Sequence, residues 1–326
     1  MAKIKVAVVG VGHLGQHHAR VYSQLPEAEL AAVVDNDFSA AQKFGKKFGC
    51  AALADYRQIL GKVEAVSLVV PTPLHFSIGK DLLSAGLHVL IEKPLASSLE
   101  EAEELIALAQ QKNSILQVGH IERFNSGLVE TQKYISRPRF IEANRLGPYD
   151  PRTGHIGVIL DLMIHDLDIV LQLVNSKIET IEADAAAVFS GHEDIAKVRL
   201  RFANGCIADL SASRISLEKF RKIRIFQPES YISLDYIRQE LKIYRKKESV
   251  EQVKSLMDIE VIRPKLKSQE PLQEELKHFL ECVRTGKTPL VTGEHGRGAL
   301  ELALEILKKT KVQVVNSPQS TVHSPH

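Results

Sequence analysis

"VAVVGVGHLG", residues 6–15, decides how the first third of the chain folds. Four apolar residues run straight into Gly10, and Gly10, Gly12 and Gly15 stand in G-x-G-x-x-G spacing. If the run is a strand and the next segment a helix, each glycine has its own task. The first permits the tight turn, the second lets a pyrophosphate approach the backbone, and the third lets helix and strand pack closely. The helix N-terminus then offers unpaired N–H groups to phosphates. Gly10, Gly12, His13, Leu14 and Gly15 are therefore cofactor-binding candidates. The spacing alone is common, so its context matters. "LAAVVD" (30–35) ends in Asp35, about twenty residues past the fingerprint, as dinucleotide sites require. A carboxylate there accepts hydrogen bonds from both adenosine ribose hydroxyls and repels a 2′-phosphate. Asn36, Asp37, Phe38 and Ser39 add no compensating base, so the expected cofactor is NAD.

Beyond the fingerprint, "AVSLVV" (65–70), "HVLIEK" (88–93) and "ILQVG" (115–119) are continuous apolar runs of strand length. Such runs suit parallel strands covered on both faces. Helical stretches alternate with them, at 13–25 and at 98–112, where Ser98 and Glu101 make a capping box. The alternation predicts an α/β fold that opens with a Rossmann-type, doubly wound parallel sheet over residues 1–120. From about residue 138 the pattern changes. "IAKVRLRF" (195–202), "CIADLSAS" (206–213) and "KFRKIRIF" (219–226) alternate apolar with polar, and "YISLDY" and "ELKIYRK" follow. These predict a second α/β domain over 121–315, with an open, largely antiparallel sheet and helices on one face. Helical spacing returns at 271–285 and 294–309, and residues 316–326 have the composition of a flexible tail.

The chain has 326 residues, 44% hydrophobic and 25% charged, with a net charge of +2. That allows two domains with sizeable cores and argues against a dedicated nucleic-acid binder. "KFRKIRIF" and "YRKK" are basic, but no aromatic stacking set accompanies them, so no nucleic acid is expected. No apolar run approaches the ~18 residues of a membrane span. "MAKIKVAVVGVG" passes directly into a strand and does not read as a secretory leader. Cys50, Cys206 and Cys282 are isolated, which suits a reducing compartment, and the expected location is cytoplasmic. His13 and His17 share a helix face without further ligands at metal spacing, so no metal site is expected. His13, His17 and His18 read as helix surface.

Two further stretches carry chemistry. "VLIEKPLA" (89–96) places Glu92, Lys93 and Pro94 just past a parallel strand, where doubly wound sheets bind ligands. "VILDLMIHDLDIV" (158–170) is apolar nearly all round, yet Asp161, His165 and Asp168 fall at i, i+4 and i+7. Buried carboxylates are costly unless paired or at work, so this polar stripe is expected to face a cleft.

Taken in order, G-x-G-x-x-G, Asp35, "EKP" and D-x-x-x-H resemble the Gfo/Idh/MocA oxidoreductases, the glucose–fructose oxidoreductase and inositol dehydrogenase relatives. The resemblance runs from residue 4 to about 310 and includes the closing "VTGEHGRGALELALEI" (291–306). It implies a substrate bound between a Rossmann domain and an open-sheet domain, with Lys93, Asp161 and His165 matching the catalytic lysine, aspartate and histidine. It also implies that "VPTPLH" lies near the nicotinamide, with Pro71, Thr72 and His75 there; the alternative reading is that Thr72 and Pro73 simply begin a helix. Glu92 and Arg123 join the cofactor side, and Arg145 is a candidate for a substrate phosphate or hydroxyl, or for a structural ion pair.

Alcohol oxidation removes a hydride from carbon and a proton from oxygen. An imidazole at 165 suits the proton, since it titrates near neutrality. An ammonium at 93 suits the developing oxyanion. Asp161 is left to orient the hydroxyl or the imidazole, and Asp168 to support them or to cap a neighbouring element. "VGHIERFNSG" and "EANRLGPYDPRTG" are most similar to the family branch that oxidises C3 of UDP-N-acetylglucosamine, although "RFNSG" departs from that branch's "RFNPA". The branch implies a sugar-nucleotide substrate, coupling to a pyridoxal-phosphate aminotransferase in lipid A synthesis, and a homodimer or homotetramer. An inositol or free-sugar dehydrogenase and a non-catalytic sugar or cofactor sensor stay open as alternatives.

Overall fold

The structure, a computed structural model, describes residues 2–151 and 154–310, and the backbone of 312–314. By contact the chain forms two compact units. Among the described residues, one contains those up to Tyr134 together with Pro264–Leu302, and the other those of 135–263 and those from Ala303 on. A single cut at residue 120 therefore does not describe the first unit, which takes back a segment from late in the chain. The tail expected over 316–326 lies outside the described residues.

The first unit runs β1 (Ile4–Val9), α1 (Gly15–Gln24), β2 (Ala28–Val34), α2 (Phe38–Phe48), β3 (Ala51–Leu53), β4 (Ala65–Leu68), α3 (His75–Ser84), β5 (His88–Glu92), α4 (Leu99–Gln111), β6 (Leu116–Gly119) and α5 (Ser126–Thr131). Its six strands are all parallel, in the order β3-β2-β1-β4-β5-β6. This is the doubly wound order, with its switch point between β1 and β4. The apolar runs in β1, β4 and β5 are continuous because both faces of this sheet are covered. Ser98 caps α4 by accepting the Glu101 N–H, while the Glu101 carboxylate bonds back to the Ser97 N–H rather than to Ser98.

The second unit begins with β7 (Phe140–Leu146) and a single π-helical turn (Ile159–Met163) that leads into α6 (Ile164–Val174). Seven strands follow: β8 (Ile178–Ala187), β9 (Ile195–Phe202), β10 (Ile207–Ser213), β11 (Phe220–Gln227), β12 (Ser230–Asp235), β13 (Glu240–Lys246) and β14 (Ile259–Ile262). The chain then forms α7 (Pro271–Thr285), which belongs to the first unit, α8 (Gly293–Lys309) and β15 (Val312–Val314). The nine-stranded sheet has the order β14-β13-β12-β11-β7-β10-β9-β8-β15. Its neighbours are antiparallel except β7 with β10 and β8 with β15. β8 carries only a weak strand signature in the sequence, because alanines and acids fill its second half, residues 182–187.

Two late details matter for function. In α7, Leu272, Leu276, Phe279 and Leu280 complete the first unit's core against Val6, Val8, Tyr22, Val33 and Leu90. Each such side chain contributes on the order of 2 kcal/mol by leaving water. On the large sheet, register aligns Phe140, Phe226, Tyr231 and Tyr244 across β7, β11, β12 and β13, with ring centroids 6.0, 4.8 and 5.2 Å apart. The expectation that no aromatic stacking set accompanies the basic strands is corrected here. The row is invisible in sequence because only pairing brings its members together.

Asp194, wholly buried, anchors the turn between β8 and β9. It accepts the N–H groups of Val188 and Phe189 at 2.7 Å and of Ser190 at 3.0 Å, and Arg214 Nε donates to it at 2.7 Å. Burial pushes its pKa up, but these donors outweigh burial and hold the carboxyl well below its usual range. Asp194→Asn should cost about 3–5 kcal/mol, since it removes the carboxylate that meets Arg214 in the interior. Arg199→Ala, breaking the exposed Arg199–Asp209 pair, should cost at most about 1 kcal/mol. Denaturant unfolding of both variants checks the contrast.

Candidate active site

A cavity of about 670 Å³ opens at the carboxyl ends of β1, β2 and β4, lined by Gly10, Gly12, Asp35, Tyr56, Val70 and Pro71 among others. The three glycines are not equivalent there. A Cβ on Gly10, whose φ is +87°, would lie 2.3 Å from the Val69 carbonyl oxygen. One on Gly15 would lie 1.8 Å from the Gly10 carbonyl oxygen. Gly10 and Gly15 are thus required by the protein's own packing. A Cβ on Gly12 would meet nothing within 4 Å, so only something entering from the cavity gives that glycine a purpose. Asp35 lies beside it, its carboxylate accepting the Val11 N–H at 2.8 Å and the Asp37 N–H at 3.0 Å. These residues fit a dinucleotide whose pyrophosphate crosses Gly12 and whose adenosine ribose meets Asp35. His13 and Leu14 are exposed at the start of α1.

The loop after β4 differs in part from expectation. Thr72–Leu74 is a 3₁₀ turn that continues directly into α3, so Thr72 and Pro73 do begin a helix. Pro71 lines the cavity. His75, expected beside the nicotinamide, is buried. Its Nδ1 lies 2.8 Å from the Pro94 carbonyl and its Nε2 2.9 Å from the Val70 carbonyl. Burial lowers its pKa, so the neutral ring donates to one carbonyl while packing against the other. His75 therefore ties the β4 loop to the segment after Lys93 instead of presenting a nitrogen to a ligand.

At the end of β5, Lys93 is joined to Pro94 by a cis peptide bond. Glu92 accepts the Lys93 N–H at 3.3 Å, and its other oxygen lies 3.1 Å from His18 Nε2. His18 is a second correction: it is buried, not helix surface. The signal was present, for Gly15, His18, Ala19 and Tyr22 share the buried face of α1 at helical spacing. Burial raises the Glu92 pKa, but the His18 hydrogen bond and the charges of His18 and Lys93 prevail and lower it. Arg123, in the 3₁₀ turn after β6, is buried. Asn125 caps α5 by accepting the Gly127 N–H at 3.0 Å, so "RFNSG" still starts a helix.

In the second unit, Asp161 sits in the π turn and His165 in the first turn of α6, both half-buried. Asp161 and His165 share that exposure, whereas Asp168, three residues past His165 in the regular helix, is buried. Two interactions hold this segment. Glu193 accepts the Ile159 N–H at 3.2 Å, capping the turn, and a Cβ on Gly157 would come within 1.8 Å of the same carboxylate. Asp166, which sequence reasoning passed over, takes Arg145 Nε at 3.0 Å and Nη2 at 2.9 Å, both side chains buried. Arg145 thus serves as a structural anchor. It also lines a cavity of about 360 Å³ with Tyr149, Asp161, Arg214, Lys219 and Arg221. Among the described residues no group of three His, Cys, Asp or Glu is arranged to hold a metal ion, and no helix is long and apolar enough to cross a membrane.

Comparisons with known proteins agree with this architecture. The family model for the Gfo/Idh/MocA "oxidoreductase family, NAD-binding Rossmann fold" matches residues 4–120, and that for the GFO/IDH/MocA C-terminal domain matches 131–232. The chain is 35% identical over 308 residues to the UDP-N-acetylglucosamine 3-dehydrogenase of Acidithiobacillus ferrooxidans, covering 94% of this chain and 97% of that one. A solved structure of that enzyme is similar with a TM-score of 0.90 at 33% identity, covering 95% and 98% of the two chains. The myo-inositol 2-dehydrogenase of Thermotoga maritima is 25% identical over 319 residues, covering 92% and 94%.

The glycine geometry predicts a clean separation of effects. Gly12→Ala should leave stability within about 0.5 kcal/mol of wild type. Its NAD affinity should fall by on the order of tenfold or more, about 1.4 kcal/mol. Gly10→Ala should instead cost on the order of 1–3 kcal/mol of stability. Thermal unfolding alongside calorimetric NAD titration measures both.

Proposed function

The chain belongs to the Gfo/Idh/MocA family of NAD-binding oxidoreductases, and we propose that it oxidises the C3 hydroxyl of UDP-N-acetylglucosamine to a ketone. The near-full-length similarity to an enzyme of that name carries the reading. Bound NAD supplies the hydride acceptor. His165 removes the hydroxyl proton, and Lys93 donates a hydrogen bond to the same oxygen as negative charge develops. Asp161 orients the hydroxyl or the imidazole. The first unit serves the dinucleotide and the second the sugar.

The cationic lining of the Asp161 cavity favours a charged substrate over a neutral polyol such as inositol. Arg145 and Arg221 stand directly opposite each other on β7 and β11, and Lys219 lies on the same cavity. Asp166 answers Arg145 from within the unit. Arg221 and Lys219, on the same cavity, are assigned to the sugar nucleotide's diphosphate. The 3-keto product carries a carbonyl suited to amination by a pyridoxal-phosphate aminotransferase, the expected next enzyme. The enzyme is assigned to the cytoplasm, and the aromatic row on the large sheet is the candidate contact for a homodimer or homotetramer.

NADH formation with UDP-N-acetylglucosamine, UDP-glucose, glucose and myo-inositol, with a carbonyl trap for the ketone, tests the assignment. Turnover should be confined to the sugar nucleotides, best with UDP-N-acetylglucosamine, and Lys93→Ala and His165→Ala should each lower kcat by about 10²–10⁴-fold. Arg221→Ala should raise KM for UDP-N-acetylglucosamine by about tenfold or more while leaving NAD affinity alone. Faster turnover of myo-inositol than of any sugar nucleotide would replace the substrate assignment.

A further inference from the structure

Behind Lys93, within the first unit, lies a buried polar cluster that the proposed chemistry does not use. Glu92 is 12% exposed in its side chain and is held by His18 and by the Lys93 N–H. The neighbouring strand makes room for it. Gly119 pairs with Glu92 in the β5–β6 register, and a Cβ there would come within 2.9 Å of the Glu92 carboxyl carbon. From α7, Glu275 enters the same interior with 0% exposure. Neither of its carboxyl oxygens has a hydrogen-bond partner among the described residues. His18 Nδ1 and Gln117 Oε1 are likewise buried without one, although Gln117 Nε2 reaches the Glu275 carbonyl at 3.4 Å.

We propose that Glu275 and His18 are positioning residues for Lys93, acting through the Glu92 carboxylate. The inference rests on the assignment of Lys93 to the reacting oxygen. Two carboxyl groups buried in one neighbourhood do not both ionise when only one has partners. Glu92 has His18 and a backbone N–H, so it keeps the charge. Glu275 has neither, and burial, reinforced by the Glu92 charge, pushes its pKa well up. The pair therefore carries one negative charge, placed on the residue adjoining the lysine. A second charge at 275 would have to be relieved at Glu92, by protonation or by displacement, and the hold on the Lys93 segment would loosen.

The groups facing the pair come from several elements. α1 supplies His18 and Tyr22, whose hydroxyl hydrogen-bonds Ser67 of β4 at 2.9 Å. Lys93 follows β5, and His75 of α3 is also within the field of Glu92. Tyr22 itself is pushed up by burial, with the Glu275 field adding to that. Among these groups Glu275 alone combines complete burial with two unpartnered oxygens.

The folded protein keeps a proton on Glu275 that the unfolded chain releases above about pH 4.3. Wild type should therefore lose stability as pH rises from there through the folded-state pKa, and a glutamine at 275 should not. The test compares wild type, Glu275→Gln, His18→Gln and Lys93→Ala by pH-dependent thermal unfolding and by pH profiles of kcat/KM with NAD and UDP-N-acetylglucosamine. Glu275→Gln should gain Tm over wild type by a margin that widens with pH, and its alkaline limb should move up by about one pH unit or more. His18→Gln should lower kcat by on the order of tenfold with little change in KM. A Glu275→Gln profile superimposable on wild type, with a Tm difference independent of pH, would overturn the inference and leave the Lys93 assignment standing. Full turnover by Lys93→Ala would overturn both.

Discussion

Asp166 is a charge placed inside the core of the second unit, and its two-pronged bond to Arg145 is what lets α6 lie there. The helix is buried along most of its circumference, so it must pack against the sheet, and it brings a carboxylate with it. An unpaired buried carboxylate would cost several kcal/mol; a planar guanidinium on β7 meets both oxygens at once. The pair fixes both the depth and the rotation of the helix. Asp161 and His165 owe their half-exposed positions to that anchoring and to Glu193, which closes the start of the π turn. The same ion pair commits Arg145 to the scaffold.

The first unit obeys a similar economy with a different outcome. Its sheet is covered on both faces, and the ligand-facing positions gather at the carboxyl ends of the strands. Polar groups that do enter its interior are handled one at a time. His18 answers Glu92, Ser67 answers Tyr22, and backbone carbonyls flank His75. Glu275 is the exception: neither of its carboxyl oxygens meets a partner among the described residues, and burial pushes its pKa well up. His18, Glu92 and Glu275 gather behind one strand end, the one that carries Lys93.

What could be read from sequence was whatever is determined locally. Gly10 and Gly15 are dictated by turn and packing geometry within a few residues, so the fingerprint announced both the strand order and the cavity. The alternation in β9, β10 and β11 likewise showed an open sheet with one covered face. Features made by distant partners were not legible. Asp166 and Asp168 look alike in a string of letters, and only Arg145, brought up by the sheet, separates them. The π turn before His165 was not legible either, and the Glu193 carboxylate that meets its first N–H lies more than thirty residues away. His18 was legible by its periodicity with Ala19 and Tyr22, yet its histidine neighbours drew the reading toward the surface. The discontinuity of the first unit had no local sign at all, for α7 reads as an ordinary amphipathic helix.

That discontinuity has a consequence for how the chain is made. When the ribosome has released the six parallel strands, the surface that α7 covers is still open, including Val6, Val8, Tyr22 and Leu90. The whole of the large sheet must be translated before Leu276 and Phe279 arrive, an interval on the order of ten seconds or more. During it the nascent nucleotide-binding unit exposes apolar surface and an unfilled dinucleotide crevice at once. Chaperone capture should therefore favour this enzyme early in its synthesis, and a fragment ending near Tyr134 should be prone to aggregation.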